Sequence, residues 1–429
     1  MTALLARIDT KSPRGRLADD VAAGVCVSLR DHPLRSSWPE LAALEATPQD
    51  PGWHAEGDVL IHTEMVLRAF AEQDAASLPS EHARRIVRTA CFLHDIAKPQ
   101  TTIFDAELNR VIAPRHERLG EIAVRNALHG AAWSPSDRRL ISVLVGTHHL
   151  VKRVVKAADR EGAGAALDLL ASRVDTRMLW ALELADMQGR RCEDQQGQLD
   201  IVGLFRMLCE ERGVFGQAPS PWITEADAAG VSFVSERARR YALDEAHRRR
   251  LSGELRDEWQ ARALVHELAQ REPAEVILTV GVSGSGKSAQ IAGLDGSWQR
   301  ISSDDVRREL FGHETTQGNP TEVHARCRAK LREVLRRSGR AVMDATHLLR
   351  DQRATVLALC HQYGAHVTHW VFDVDPEETR RRNQSRERRV PDEVIGRQLG
   401  RFEWPGPEEA HAIRVFETQD SAPRGAAPL

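Results

Sequence analysis

The run Glu275-Val-Ile-Leu-Thr-Val280, continued by Gly281-Val-Ser-Gly-Ser-Gly286-Lys287-Ser288, restricts the folds open to this chain more than any other stretch. A β-branched apolar run, a glycine-rich turn and a following helical segment read as a strand, a phosphate cradle and a helix N-terminus. The spacing G-x-x-x-x-G-K-[ST] lets backbone N–H groups around Gly281, Gly284 and Gly286 close on phosphates. Lys287 then reaches the β- and γ-phosphates and the Ser288 hydroxyl holds Mg²⁺. A merely flexible glycine turn leaves the lysine unexplained, and lysine is scarce here, at positions 11, 98, 152, 156, 287 and 330 alone.

Beyond this loop, Gln299–Ile301, Ala341–Met343 and Val367–Phe372 are further short apolar runs separated by helical segments. Alternating strands and helices imply a parallel sheet with helices on both faces, and ligands of such sheets sit beyond the carboxyl ends of the strands. The second strand leads there into Ser302-Ser303-Asp304-Asp305-Val306-Arg307. Asp304 can accept the proton of an attacking hydroxyl and Arg307 can hold an anionic acceptor; the plainer reading is a capping aspartate with a surface arginine. Asp344, ending the third strand, places another carboxylate on the same rim, suited to ordering magnesium-bound water. Arg380, Arg381, Arg382, Arg386, Arg388 and Arg389 precede Val390-Pro391 on a predicted helical lid, where positive charge can close over a γ-phosphate.

Upstream the grammar is helical. From Asp58 to Arg191 apolar residues recur at spacings of three and four, as in Val59, Met65, Val66, Phe70 and in Ile86, Ala90, Leu93, Ala97, and no strand is expected. This region carries His62, His94-Asp95, His116, His148-His149 and Asp186 on helices or at their ends. Imidazoles and carboxylates bind divalent transition metals, and a bridging aspartate lets two ions share a site. A lone histidine is more often packed or exposed, so the set matters more than its members. Leu179, Leu182 and Asp186 share a stripe with Arg190 one turn on, and a carboxylate buried there needs a cation or donors. Leu144 and His148 share a face, as do Val145 and His149; His148 is preferred as ligand with His149 as its neighbour, and the choice stays open.

The chain has 429 residues, more than one core usually serves, with 41% hydrophobic residues and a net charge of −3. That balance argues against a protein that coats polyanions, although Arg237–Arg240, Arg248–Arg250 and Arg380–Arg382 could form local phosphate patches; solvated helix faces are the plainer reading. Six scattered cysteines without a C-x-x-C pair give neither a disulfide framework nor a cysteine zinc site. Met1–Thr10 lacks a signal-peptide run and no segment approaches the roughly 20 apolar residues of a membrane span, so a cytoplasmic protein is expected. Residues 1–50 give no functional signal, 51–225 form an all-α metal domain, 226–272 a charged helical connector ending near Pro273, and 273–429 the α/β domain, with Ser421–Leu429 expected as a frayed tail.

The P-loop, the D-D-x-R element and the lid arginines, in this order, resemble the 5′-hydroxyl polynucleotide kinase family from Glu275 to about Pro405. The resemblance implies ATP and Mg²⁺ as cofactors, Asp304 as general base, and Arg307 as the grip on the acceptor's 3′-phosphate. It makes Arg382, Arg386 and Arg389 the lid residues. His347, after Asp-Ala-Thr, departs from the asparagine common in related kinases. Phe92-Leu93-His94-Asp95-Ile96-Ala97-Lys98-Pro99, the earlier Gly57–Thr63 and the later His116-Glu-Arg-Leu-Gly120 resemble HD-superfamily phosphohydrolases, especially the form in CCA-adding enzymes. That resemblance implies His62, His94, Asp95, His116, His148 and Asp186 as ligands of one or two ions (Mn, Ni, Co, Zn or Fe). Lys98 would then neutralise a bound phosphate or assist the leaving oxygen, and Arg190 would clamp the same group.

An HD domain followed by such a kinase resembles the bifunctional RNA end-healing fusion family across residues 51–405. The implied activities are phosphorylation of 5′-hydroxyl ends and removal of 2′,3′-cyclic, 2′- or 3′-phosphates from RNA, with a separate RNA ligase acting downstream. RNA against DNA preference and homodimer formation stay open. Two rivals share the motifs: a small-metabolite kinase fused to a nucleotide phosphohydrolase, and a non-catalytic ATP-sensing regulator. A broad rather than a closed acceptor site separates the first, and nucleotide turnover the second.

Overall fold

The computed structural model describes residues 12–25, 28–158, 162–312, 320–386 and 388–417. Lys11, Cys26 and the expected tail Ser421–Leu429 lie outside the described residues. The chain divides into two compact units, Met1–Pro219 and Ser220–Leu429.

The first unit is helical, and its helices begin where the sequence supplies a cap. Asp58, Ser80, Ser134 and Asp175 each accept a hydrogen bond from a backbone N–H in the first turn of the following helix, satisfying a donor that the helix itself cannot. These caps open the helices Val59–Glu72, Glu81–Leu93, Pro135–Thr147 and Thr176–Gln188. Their apolar stripes meet in one core that includes Val66, Phe70, Val87, Leu144, Leu179 and Leu182. The first fifty residues join it: Leu17 and Val21 from the helix Pro13–Ala22, and Leu41 and Leu44 from Pro39–Glu45, are buried in the same core.

Two sequence readings change here. The periodicity expected to run to Ala97 stops at Leu93, and a separate short helix, Lys98–Thr101, follows. Strands also occur where none was expected: β1 (Ile103–Asp105) and β2 (Arg110–Ile112) form an antiparallel hairpin. It is short, with Ile103, Phe104 and Leu108 exposed, so it lacks the in–out alternation by which a strand is recognised.

In the second unit β3 (Glu275–Val280), β4 (Trp298–Ser302), β5 (Arg340–Asp344), β6 (His366–Asp373) and β7 (Ala412–Glu417) form one parallel sheet in the order β4-β5-β3-β6-β7. The first four are the expected strands; β7 was not foreseen. Every residue of β3 is buried, as a central parallel strand requires. Ser302 pairs with Asp344 in register, so the loops after β4 and β5 leave the sheet at one level.

The segment read as a connector is helical, as Glu236–Leu251 and Glu258–Leu268, and folds with the second unit. His366 of β6 meets Asp244 at 2.8 Å, His411 meets Glu245 at 2.9 Å, and Arg237 and Arg240 pair with Glu275 of β3. The arginine runs are thereby engaged internally: Arg239 with Glu225, Arg248 and Arg249 with Glu245, Arg381 and Arg382 with Glu378.

Close approach of two helices in the first unit is set by one glycine. A Cβ on Gly189, just past the Thr176–Gln188 helix, would stand 2.7 Å from the backbone nitrogen of Val66 and 2.9 Å from its Cα. Gly189→Ala must push apart the helices that carry His62 and Asp186. A stability loss of ~1–3 kcal/mol is expected, seen as a lower urea midpoint, and an unchanged midpoint would show that the contact yields freely.

Candidate functional site

Helix ends position the imidazoles of the first unit. The last carbonyls of a helix have no partner within it. His94 follows the Glu81–Leu93 helix and His148 follows Pro135–Thr147; their Nδ1 atoms lie 2.8 Å from Cys91 O and 2.7 Å from Val145 O, carbonyls of those last turns. His116 does the same at the start of His116–Ala127, 2.7 Å from Ala113 O. A carbonyl only accepts, so each Nδ1 carries the proton and each Nε2 presents a lone pair.

The Nε2 atoms of His94 and His116, with that of His62, converge on Asp95. Its Oδ2 lies 3.2 Å from His94 Nε2 and 3.8 Å from His62 Nε2, while Oδ1 lies 3.4 Å from His116 Nε2. His62 Nε2 is also 2.9 Å from Asp186 Oδ1. All six expected ligands are buried, and the structure brings all six together. They form two sets: His62, His94 and Asp186 on one side, and His116, His148 and His149 on the other, the ligand atoms within 4.8 Å of one another in each. Asp95 turns one oxygen to each side. His149, expected as a neighbour of the ligand His148, is thus gathered into the same set.

The two buried carboxylates stay charged because cationic and imidazole groups surround them. Burial opposes the charged form of Asp95, yet His94, Lys98 and His116 hold its carboxyl well below the usual range. Asp186 is likewise held low against burial by Arg190 and His62. Burial, with His116 and His94 adding, pushes His148 down to about 3, so its imidazole is neutral. Asp95 Oδ1 and the Nε2 atoms of His116 and His148 are buried without a hydrogen-bond partner, while Asp95 Oδ2 has the Lys98 ammonium at 2.7 Å. These three orphaned acceptors fit a divalent cation, which would supply the partner they lack.

Three further residues complete the surroundings. Lys98, expected to face phosphate, ion-pairs with Asp95 Oδ2 at 2.7 Å and donates to Gln49 at 2.8 Å. Arg190, expected as a phosphate clamp, forks onto Asp186 at 3.1 and 2.6 Å. Glu56 escaped sequence reading; its Oε1 lies 3.0 Å from His62 Nδ1 and 2.8 Å from His54 Nδ1, orienting His62 as a metal ligand's outer partner does. Only its place six residues before His62 could have flagged it.

In the second unit the glycine loop has the geometry the motif demands. Gly284 and Gly286 sit at φ +85° and +97°, and a Cβ on Gly284 would stand 2.9 Å from Thr379 O. Gly281 leaves the strand beneath Phe372 and donates to Thr346 O, tying the loop to the end of β5. Lys287 donates to Gly281 O and Val282 O at 2.9 and 2.8 Å. Burial, opposed by Asp344, brings its ammonium down to about 8, the mark of a cation short of anions.

A cleft of about 1160 Å³ opens above the loop, lined by Gly284, Gly286, Lys287, Ser288, Asp304 and Arg307 among others. Asp304 accepts from Arg307 at 2.7 Å. Asp344, expected to order metal-bound water, instead accepts from Arg300 at 2.9 and 2.7 Å; Arg300 was not singled out in the sequence. Of the expected lid residues Arg382 and Arg386 line the cleft; Arg389 does not, and Arg388 does. The lid is helical only over Pro376–Gln384, so Arg386, Arg388 and Arg389 lie beyond the helix. His347, the departure noted above, also lines the cleft, at φ 40° with Nδ1 2.9 Å from Thr279 O.

Residues 276–405 match a family model described as an AAA domain. A chain in a solved structure described as "Structure of the Pnkp1/Rnl/Hen1 RNA repair complex" is 21% identical over 31% of this chain and 45% of its own, with a TM-score of 0.28. A second, "Structure of Pnkp1/Rnl/Hen1 complex", is 22% identical over 28% and 42%, with a TM-score of 0.25. The chain therefore spans less than half the length of these solved chains. The second unit holds a P-loop domain on a parallel sheet, and among the described residues no helix is long and apolar enough to cross a membrane.

The two ligand sets make a graded expectation. His94→Ala and His148→Ala should each lower the divalent metal retained by the purified protein, measured by elemental analysis. Asp95→Ala should lower it most because both sets share that carboxylate. Lys98→Ala, which removes a cation and no ligand, should retain metal as the parent chain does; loss equal to that of Asp95→Ala would overturn the assignment.

Proposed function

We propose that this chain is a bifunctional nucleic-acid end-healing enzyme. Its second unit phosphorylates 5′-hydroxyl ends with ATP, and its first unit, an HD-type phosphohydrolase domain, removes 2′,3′-cyclic, 2′- or 3′-phosphates from RNA ends. The observation that carries the reading is the pairing of Lys287 and Asp304 on the rim of one arginine-lined cleft. Nucleotide sensing needs the lysine but has no use for the carboxylate.

In the kinase reaction Gly284, Gly286 and Lys287 would hold the β- and γ-phosphates, Ser288 would hold Mg²⁺, and Arg382 and Arg386 would offset charge as the γ-phosphoryl moves. Asp304 accepts the proton of the acceptor's 5′-hydroxyl while that oxygen bonds to the γ-phosphorus, the bond to the bridging oxygen breaks, and ADP leaves. Arg307, 2.7 Å from Asp304, faces the acceptor's 3′-phosphate.

In the first unit His62, His94, Asp95, Asp186, His116, His148 and His149 would hold one or two ions of Mn, Ni, Co, Zn or Fe. Such ions lower the pKa of bound water and polarise a phosphoryl oxygen. The Nδ1–carbonyl contacts orient three imidazoles beforehand, Glu56 orients a fourth, and Asp95 ties the two sets together. Lys98 and Arg190, now paired with Asp95 and Asp186, are the cations that an incoming phosphate could recruit.

Because the two sets of groups belong to different compact units, their activities should separate. Lys287→Ala or Asp304→Ala should lower transfer of label from ATP to a 5′-hydroxyl oligonucleotide by about a hundredfold or more. Either variant should leave hydrolysis of a 2′,3′-cyclic phosphate near the parent rate. Asp95→Ala should do the reverse, and chelation should mimic it until Mn²⁺, Ni²⁺ or Co²⁺ is returned. Loss of both activities in folded Lys287→Ala protein would show that the two are one site, and no label transfer by the parent chain would refute the kinase.

A further inference from the structure

The cleft of the second unit extends beyond Arg307 along the helix Pro320–Arg336, where Thr321, His324 and Arg328 follow one face at spacings of three and four. Its carboxylates at the β4 and β5 ends are already engaged: Asp304 by Arg307, Asp305 by Arg300 and Arg308, and Asp344 by Arg300. Two lining guanidinium groups, Arg386 and Arg328, make no side-chain hydrogen bond or ion pair among the described residues.

They serve opposite ends. Arg386 is close enough to Lys287 to act on its ammonium, so the triphosphate of ATP supplies its counter-charge. Arg328 is half-buried, and together with Arg307 it acts on His324, so it belongs to the acceptor end. Arg307 already has Asp304 at 2.7 Å, whereas Arg328 has no such carboxylate among the described residues, so a phosphate beside it would supply its charge-assisted hydrogen bonds. Arg307 accounts for one acceptor phosphate in the reading above. The cleft, at about 1160 Å³, exceeds the usual small-ligand range of roughly 300–1,000 Å³, in keeping with a site that takes ATP and an acceptor together.

We propose that Arg328, with His324 beside it, forms a second phosphate subsite of the acceptor groove, one nucleotide beyond the phosphate held by Arg307, making oligonucleotides the preferred acceptors over mononucleotides. The inference rests on the kinase reading and narrows its substrate class.

The test uses the full-length chain, with Asp95→Ala in the parent and in every variant so that the acceptors keep their 3′-phosphates, saturating ATP and three acceptors: a nucleoside 3′-monophosphate, a dinucleotide bearing a 3′-phosphate, and a longer 5′-hydroxyl oligonucleotide. In the parent protein the acceptor KM should fall about tenfold or more from the first to the second, the scale of one charge-assisted contact. Arg328→Ala should abolish that gain while the KM values for ATP and for the mononucleotide stay unchanged, which also reports that the variant is folded. Arg328→Lys should restore part of the gain and steepen its salt dependence. An undiminished gain in Arg328→Ala overturns the subsite and leaves the kinase standing, as does a parent protein indifferent to acceptor length. Absence of phosphorylation on all three acceptors overturns the kinase and the subsite together.

Discussion

The Asp95 carboxylate is buried among the imidazoles of His62, His94 and His116, with Lys98 as its nearest cation. Taking an ionised carboxylate out of water costs several kcal/mol unless it is paired. The surrounding helices are arranged as if to meet that cost from every side. Two imidazoles arrive from helix C-terminal ends and one from a helix start, each held by a backbone carbonyl three residues earlier. A second carboxylate, Asp186, arrives with its own arginine. Polar groups of this density stay buried only in a rigid shell, which the apolar core around Phe70, Leu144 and Leu179 supplies.

Different physics governs the second unit. There the site lies at the rim of a sheet, and precision comes from register. Pairing Ser302 with Asp344 and Leu278 with Met343 fixes where three loops emerge, so the glycine loop, Asp304 and His347 face one cleft. Beside them His347 holds a positive φ of 40°, a backbone that histidine adopts more readily than most non-glycine residues, anchored by its contact with Thr279 O. The loop closes onto that anchor through Gly281 and Thr346.

The two arrangements suit their proposed chemistries. A hydrolytic site that relies on bound ions gains from deep burial, since a low dielectric strengthens the ions' hold and their effect on water. A kinase must admit a long acceptor and release it, so its groups sit on loops above an open cleft and its arginines are spread along the walls. The helices Glu236–Leu251 and Glu258–Leu268 belong to the sheet's support: Glu245 and Asp244 receive His411 and His366 from beneath β6 and β7.

What the sequence by itself determined is local. Strand β3, the glycine loop and the rim pair Asp304 and Arg307 follow from spacing along the chain, because a phosphate cradle is built from consecutive backbone groups. The helical character of the first unit follows from its apolar period, and the stripe Leu179, Leu182, Asp186 announced a buried carboxylate. The six expected ligands could be named from their setting, but their division into two sets around Asp95, and the inclusion of His149, arose only when separate helix ends met in space. Glu56 beside His62 and Arg300 on Asp344 were decided the same way, since an ion pair between distant residues leaves no periodic trace along the chain, whereas Arg190 one turn after Asp186 was legible from spacing. The hairpin β1–β2 and the edge strand β7 were missed because strands half open to solvent show neither a buried run nor clean alternation. The charged helices before Pro273 looked like a spacer for a related reason: only the fold supplied the partners, Glu275, His366 and His411, that turn their charges inward.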